Sequence, residues 1–245
     1  MVRKAFFFLL ATAVVGITGC EFLPDLGGGG DEATEFTVHV ENVSQPGTID
    51  SDRAGGAVPL SPGVYAVYQG KNPMFAPGAR ADNGTERIAE DGFPMRKAGM
   101  VNDAANVSES GIFDSAGGPD NGPAIFPGES TTFTIEARPG DRLQFETMFV
   151  QSNDWFYAFE GEGLDLVREH MPISGDVTAH LVLYDAGTAE DTAPGTGPDQ
   201  KPVQDPRATN VGPPDDDRSI RPASDTGFPI PPTASVIRVT VMPKH

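Results

Sequence analysis

Two aspartates stand where a β-rich chain can bring carboxylates together. Asp154 follows the run Arg142–Val150 and precedes Trp155, while Asp185 ends the run Val177–Tyr184 and leads into Ala186-Gly187-Thr188. Carboxylates at strand ends have two uses. They accept hydrogen bonds from backbone N–H groups as turn and cap residues, or they hold a hard divalent cation, which takes about six to eight oxygens. Gly187 allows a sharp turn that presents carbonyls at no steric cost. Two or three carboxylates nearly neutralise a divalent ion, whereas without one they repel each other. Residue types alone leave both uses open.

Other candidates carry less. Trp155, the sole tryptophan, is followed by Phe156 and Tyr157; the trio is either an exposed aromatic platform for a ligand or a plug packed beneath the loop. Asp215-Asp216-Asp217 and Asp82-Asn83-Gly84-Thr85-Glu86 contain fragments of a calcium loop but lack its full spacing and terminal Glu, and read as solvated acidic loops. Of the four histidines, His39 and His180 fall inside strand patterns and His245 is terminal, leaving His170 alone. The chain has no G-x-S-x-G elbow, H-E-x-x-H helix, phosphate loop or dinucleotide fingerprint. It reads as a non-enzyme with no catalytic residue. The enzymatic alternative is an envelope polysaccharide hydrolase using paired carboxylates, since 35 acids offer many pairs. A passive surface protein is the bland alternative.

The elements that must position these residues are strands. Phe36–Val43 alternates apolar and polar residues, the period of a half-buried strand. Gly63–Tyr68, Thr131–Ala137, Arg142–Val150, Val177–Tyr184 and Ser235–Val241 are similar runs. Arg138-Pro139-Gly140-Asp141 between two of them predicts a hairpin, with Phe133 and Ile135 sharing a buried face with Leu143, Phe145 and Phe149. At the end of the chain Ile237, Val239 and Val241 point inward, and Val236, Arg238 and Thr240 outward. Two short helices are expected, at Thr85–Glu90 and Met95–Val101. Proline-rich residues 185–235 are expected to form a long surface excursion. Six or more separated strands in residues 36–245 predict one all-β domain, an antiparallel β-sandwich of about eight strands.

Composition fits that picture. Gly and Pro number 29 and 23 among 245 residues, and the net charge is −18. Such a balance argues against nucleic acid as a partner, because binding phosphates needs a basic patch. Residues 1–19 carry Arg3 and Lys4 ahead of the short apolar run Ala5–Val15, as a signal peptide does. Thr18 and Gly19 then precede Cys20, the only cysteine, in an arrangement similar to the lipobox of bacterial lipoproteins. Cys20 is therefore expected to be lipidated, and residues 20–35, with Gly27 to Gly30, to form a flexible tether. The predicted location is the cell envelope, on a membrane through the lipid. Export would discard Arg3 and Lys4 and leave a net charge of −20.

An ordered set of phrases resembles the spondin domain of F-spondin, mindin and bacterial secreted proteins. They are Phe36–Ser44, Leu60–Tyr65, Asn72–Gly78, Ile88–Gly92, Asn153–Phe156 and Tyr184–Thr188. The resemblance implies an eight-stranded, C2-domain-like sandwich with one Ca2+ on loops at one end, ligated by three acids. Two of those positions fall on Asp154 and Asp185. The third falls on Ala189, so Glu190 or Asp191 would have to serve after a one-residue loop shift. It further implies a recognition or adhesion role, with an unknown surface protein or glycan as partner.

Overall fold

Strict alternation builds the first strand, β1 (Thr34–Asn42), in which Phe36, Val38 and Val40 are fully buried on one face. The computed structural model describes residues 32–115, 124–205 and 207–244. The expected signal segment, Cys20, most of the glycine tether and His245 lie outside the described residues. After β1 come β2 (Gly63–Tyr68), helices α1 (Asn83–Asp91) and α2 (Met95–Asn102), β3 (Val107–Phe113), β4 (Ser130–Ala137), β5 (Arg142–Met148) and β6 (Trp155–Phe159). Four two-residue strands follow, β7 (Leu164–Asp165), β8 (Val167–Arg168), β9 (Met171–Pro172) and β10 (Gly175–Asp176). Last are β11 (Leu181–Asp185), the two-residue β12 (Arg221–Pro222) and β13 (Ile237–Pro243).

All strand pairs are antiparallel. One sheet has the order β10-β13-β1-β4; the other runs β12-β11-β6-β5-β2-β3 with β7 against β5, and β8 and β9 form a separate ribbon. The fold is thus an antiparallel β-sandwich whose eight strands of five or more described residues form its body. Between the sheets lie Phe36, Val38, Ile135, Val239 and Val241 from one side and Tyr65, Val67, Phe145, Trp155, Tyr157 and Phe159 from the other. Burying a phenylalanine fully contributes about 1.5–3 kcal/mol, so this layer dominates stability.

The second sheet is covered on its outer face as well. Val64, Ala66, Phe156, Ala158 and Tyr184 pack there against Met74, Phe75, Ile88, Ala89 and Val101. That is why β2 and β6 are buried along their whole length. Asp82 caps α1, its Oδ1 accepting from the N–H groups of Gly84 (2.8 Å) and Thr85 (2.9 Å). Both helices match the expected positions to within two residues at each end.

Several expectations need correction. β4 and β5 are not a hairpin: β4 pairs with β1 in one sheet, and β5 with β2 and β6 in the other. The turn between them crosses from sheet to sheet, with Asp141 Oδ2 accepting from Arg138 N at 2.7 Å. Phe133 and Phe145 still share the interior, from opposite sides, because both contact Phe113. The run from Val177 opens in a helical turn, Thr178–His180, with the strand starting only at Leu181. Val236 precedes β13 and is fully buried, not outward.

A polar blemish lies among the aromatic residues of the core. Tyr157 is fully buried and its hydroxyl has no hydrogen-bond partner among the described residues. A desolvated, unpaired hydroxyl costs about 1–3 kcal/mol. Tyr157→Phe is therefore expected to stabilise the protein by about 1 kcal/mol, seen as a higher urea midpoint at unchanged slope. A lower midpoint would mean that the hydroxyl is satisfied by buried water.

Candidate metal centre

Strand register puts the two predicted aspartates side by side. In the β6–β11 ladder Trp155 faces Asp185, so Asp154, one residue before Trp155, sits next to the end of β11. On the other side of β11, Asp185 faces Arg221 of β12. The β5–β6 connection is fixed by Ser152, whose Oγ donates to Phe149 O (2.7 Å) and accepts from Trp155 N (2.9 Å). Asn153 Oδ1 accepts from Thr192 N (3.1 Å), Thr192 Oγ1 (2.7 Å) and Gln200 Nε2 (3.2 Å). Those bonds draw the excursion after β11 back over the site and bring in Asp191, which accepts from Trp155 Nε1 at 2.7 Å.

Gly187 makes this closure possible. Its φ is +64°, and a Cβ there would stand 2.7 Å from Asp217 O and 2.8 Å from Ser219 O. Any other residue would push the returning excursion away.

Asp154, Asp185 and Asp191 each offer one carboxylate oxygen, and these lie within 4.8 Å of one another. The group can hold a metal ion. Asp154 and Asp185 are fully buried. Asp154 Oδ2 accepts from Thr188 N (2.7 Å), Thr188 Oγ1 (3.0 Å) and Ala189 N (3.0 Å). Asp185 Oδ1 accepts from Gly187 N at 2.7 Å. Each of the three carboxylates thus uses one oxygen within the protein. The other oxygen of each, Asp154 Oδ1, Asp185 Oδ2 and Asp191 Oδ2, has no hydrogen-bond partner among the described residues. Three carboxylate oxygens brought together without hydrogen-bond donors are what a cation's donor set looks like without its ion.

The electrostatics point the same way. Burial, then the charges of Asp154 and Asp191, push the Asp185 carboxyl up to about 9. Burial, then Asp154, raises Asp191 to about 7. Burial also raises Asp154, against the pull of its bonds from Ala189 and Thr188. One internal cation partly relieves the cluster. Arg221 Nη2 stands 2.5 Å from Asp185 Oδ2, without hydrogen-bond alignment, 2.5 Å from Asp215 Oδ2 and 4.0 Å from Asp191 Oδ2. It compensates the outer side of the cluster and makes no ion pair with Asp154. A single positive charge shared among these carboxylates leaves the site short of positive charge.

Of the expected ligands, Asp154, Asp185 and Asp191 come together. Glu190 is exposed and lies outside the group, its backbone N–H bonded to Pro213 O at 2.8 Å. Ala189, at the position where the resemblance wanted an acid, contributes its N–H to Asp154 instead. Trp155 is a plug beneath the loop, fully buried. Asp82 is a helix cap, and of the acidic triplet Asp215 and Asp217 reach the site through Arg221, Asp215 Oδ2 at 2.5 Å and the exposed Asp217 Oδ2 at 3.5 Å. Sequence reasoning missed Arg221 altogether. Arg218 adjoins the triplet and stays exposed, so proximity in sequence would have pointed to the wrong arginine. Known protein families and curated proteins were compared with this chain, and neither comparison finds a match.

Proposed function

We propose that this chain is a cell-envelope recognition module, exported and lipid-anchored at Cys20, whose spondin-like sandwich binds one Ca2+ through Asp154, Asp185 and Asp191. The observation that carries the reading is the convergence of three carboxylates, two buried and that of Asp191 half-buried, each with an oxygen that has no hydrogen-bond partner among the described residues. An all-oxygen donor set suits a hard cation, and a set with no His or Cys disfavours zinc. Calcium fits a cluster on irregular loops better than magnesium, which demands near-ideal octahedral geometry. Bound there, the ion would neutralise the carboxylates and fasten the β5–β6 and post-β11 loops to each other. The rigid loop end is then the surface offered to a partner, a surface protein or glycan, without catalysis. The lipobox-like segment and the spondin-like phrases support the location and the class of role.

Calorimetric titration of chelator-treated, full-length protein tests the reading. One Ca2+ per chain is expected, with a Kd of about 0.1–1 mM as in other extracellular modules. Mg2+ should bind more weakly, and Asp154→Ala plus Asp185→Ala should abolish the signal. Calcium binding that survives this double substitution would move the site elsewhere.

A further inference from the structure

Beside the carboxylate cluster lies a pocket of about 230 Å3, lined by Arg80, Ala81, Glu86, Gly187, Thr188 and Arg218. Arg80 and Arg218 come from distant stretches of chain, one ahead of α1 and the other in the excursion. Both side chains are exposed, and neither has an ion pair or a hydrogen bond among the described residues. In a protein with 35 acids and 17 basic residues, two unpaired guanidiniums on one small pocket are unexpected. The one acid in the lining, Glu86, accepts from Asn83 Nδ2 at 3.0 Å.

We propose that this pocket binds an oxyanion, the carboxylate or sulfate of a ligand no larger than a monosaccharide, and that a cation at Asp154, Asp185 and Asp191 strengthens the binding. The guanidinium fork matches planar carboxylate and tetrahedral sulfate, donating two parallel N–H bonds. The volume falls below the roughly 300–1,000 Å3 of pockets for drug-sized ligands, which limits the occupant to a small acidic group. Gly187 and Thr188 form the shared wall. Their N–H groups already bond Asp185 and Asp154, so the pocket backs directly onto the carboxylates. Without a cation those acids oppose an incoming anion, and a divalent ion removes that opposition. Linkage makes the effect reciprocal: the anion tightens the cation by the same factor. This coupling rests on the metal reading, whereas the arginine pair does not.

The probes are sodium sulfate, glucuronate and glucose, titrated into the full-length protein with Ca2+ or with chelator, after the Ca2+ isotherm has been recorded in chloride buffer. Sulfate and glucuronate are expected to bind and glucose not. Calcium should tighten the anions about tenfold, within the usual range of coupling between sites. Arg80→Gln and Arg218→Gln should each weaken them about tenfold and leave the chloride-buffer Ca2+ isotherm unchanged, because neither side chain touches the carboxylates. Equal affinities for sulfate and glucuronate support a site for free oxyanions; tighter glucuronate supports a sugar acid. No anion binding in Ca2+, or full binding by the double arginine variant, overturns the site. An intact Ca2+ isotherm with equal anion affinity in chelator overturns the coupling alone. Absence of the Ca2+ isotherm itself overturns the metal reading, and anion binding in chelator then judges the arginine pair by itself.

Discussion

In metal-free buffer Asp154→Asn unfolds at a higher temperature than the wild-type protein, and in saturating Ca2+ the order reverses. Asp154 is fully buried, with three donors on Oδ2 and, among the described residues, none on Oδ1. Asparagine keeps an oxygen for the three donors and replaces the orphan with an NH2 that can donate towards the neighbouring carboxylates. Removing a buried carboxylate oxygen that has no donor relieves about 1–3 kcal/mol, which for a protein of this size raises Tm by about 2–12 °C. Calcium at a hundredfold above Kd stabilises the wild type by about 2.7 kcal/mol, and the variant, short of a ligand, gains little. The pH dependence follows with a definite sign. Asp185 and Asp191 have folded values near 9 and 7, above the roughly 3.9 of an unfolded Asp. Their contribution is therefore fully present below about pH 4 and lost as pH rises through 7 to 9. Metal-free protein should weaken across that window and calcium-loaded protein should weaken less. If Asp154→Asn is less stable than wild type with and without calcium, Asp154 is a turn residue and the cation site fails.

Which parts of this arrangement the sequence reveals depends on the range of the interaction. Facing direction is local: the alternation of Phe36, Val38 and Val40 marks the buried side of β1 before any partner is known. Pairing is not local. β4 and β5 both alternate and flank a good turn, yet their partners lie across the sandwich, because alternation specifies a face and says nothing of the neighbour. The same limit explains the site. Asp154 and Asp185 are legible because each ends or precedes a recognisable strand. Their adjacency comes from the register of Trp155 opposite Asp185. Asp191 and Arg221 depend on how the proline-rich excursion folds back, held by Asn153, Thr192 and Gln200. Nothing in its composition encodes that path. The helical layer hides the opposite surprise: α2 exposes Met95 and Met100 and buries Lys97, the reverse of what residue type predicts.

That lysine carries the second large effect. Lys97→Met is expected to cost about 3–5 kcal/mol, the usual penalty for stranding one partner of a buried ion pair. Lys97 Nζ donates to Met74 O (2.6 Å) and to both Asp82 oxygens (2.9 and 2.8 Å), and lies 3.6 Å from Glu146 Oε1. It thereby ties the loop before α1, the cap of α1 and strand β5 to α2. Glu146 is fully buried, helped otherwise, among the described residues, only by Thr85 Oγ1 at 3.2 Å. Burial pushes its carboxyl up to about 7, with Lys97 resisting. A raised carboxyl contributes stability that is present below the unfolded value, roughly 4.3, and lost as pH climbs through the folded one. Without Lys97 the folded value climbs further, so the deficit of Lys97→Met against wild type should widen from pH 5 to pH 8. Urea midpoints at the two pH values measure it. Adding Glu146→Gln should recover most of the loss and flatten its pH dependence, because Asp82 is partly exposed and can hydrate itself. A single variant within about 1 kcal/mol of wild type at pH 8 would show that Glu146 is already neutral there and that Lys97 serves Asp82 alone.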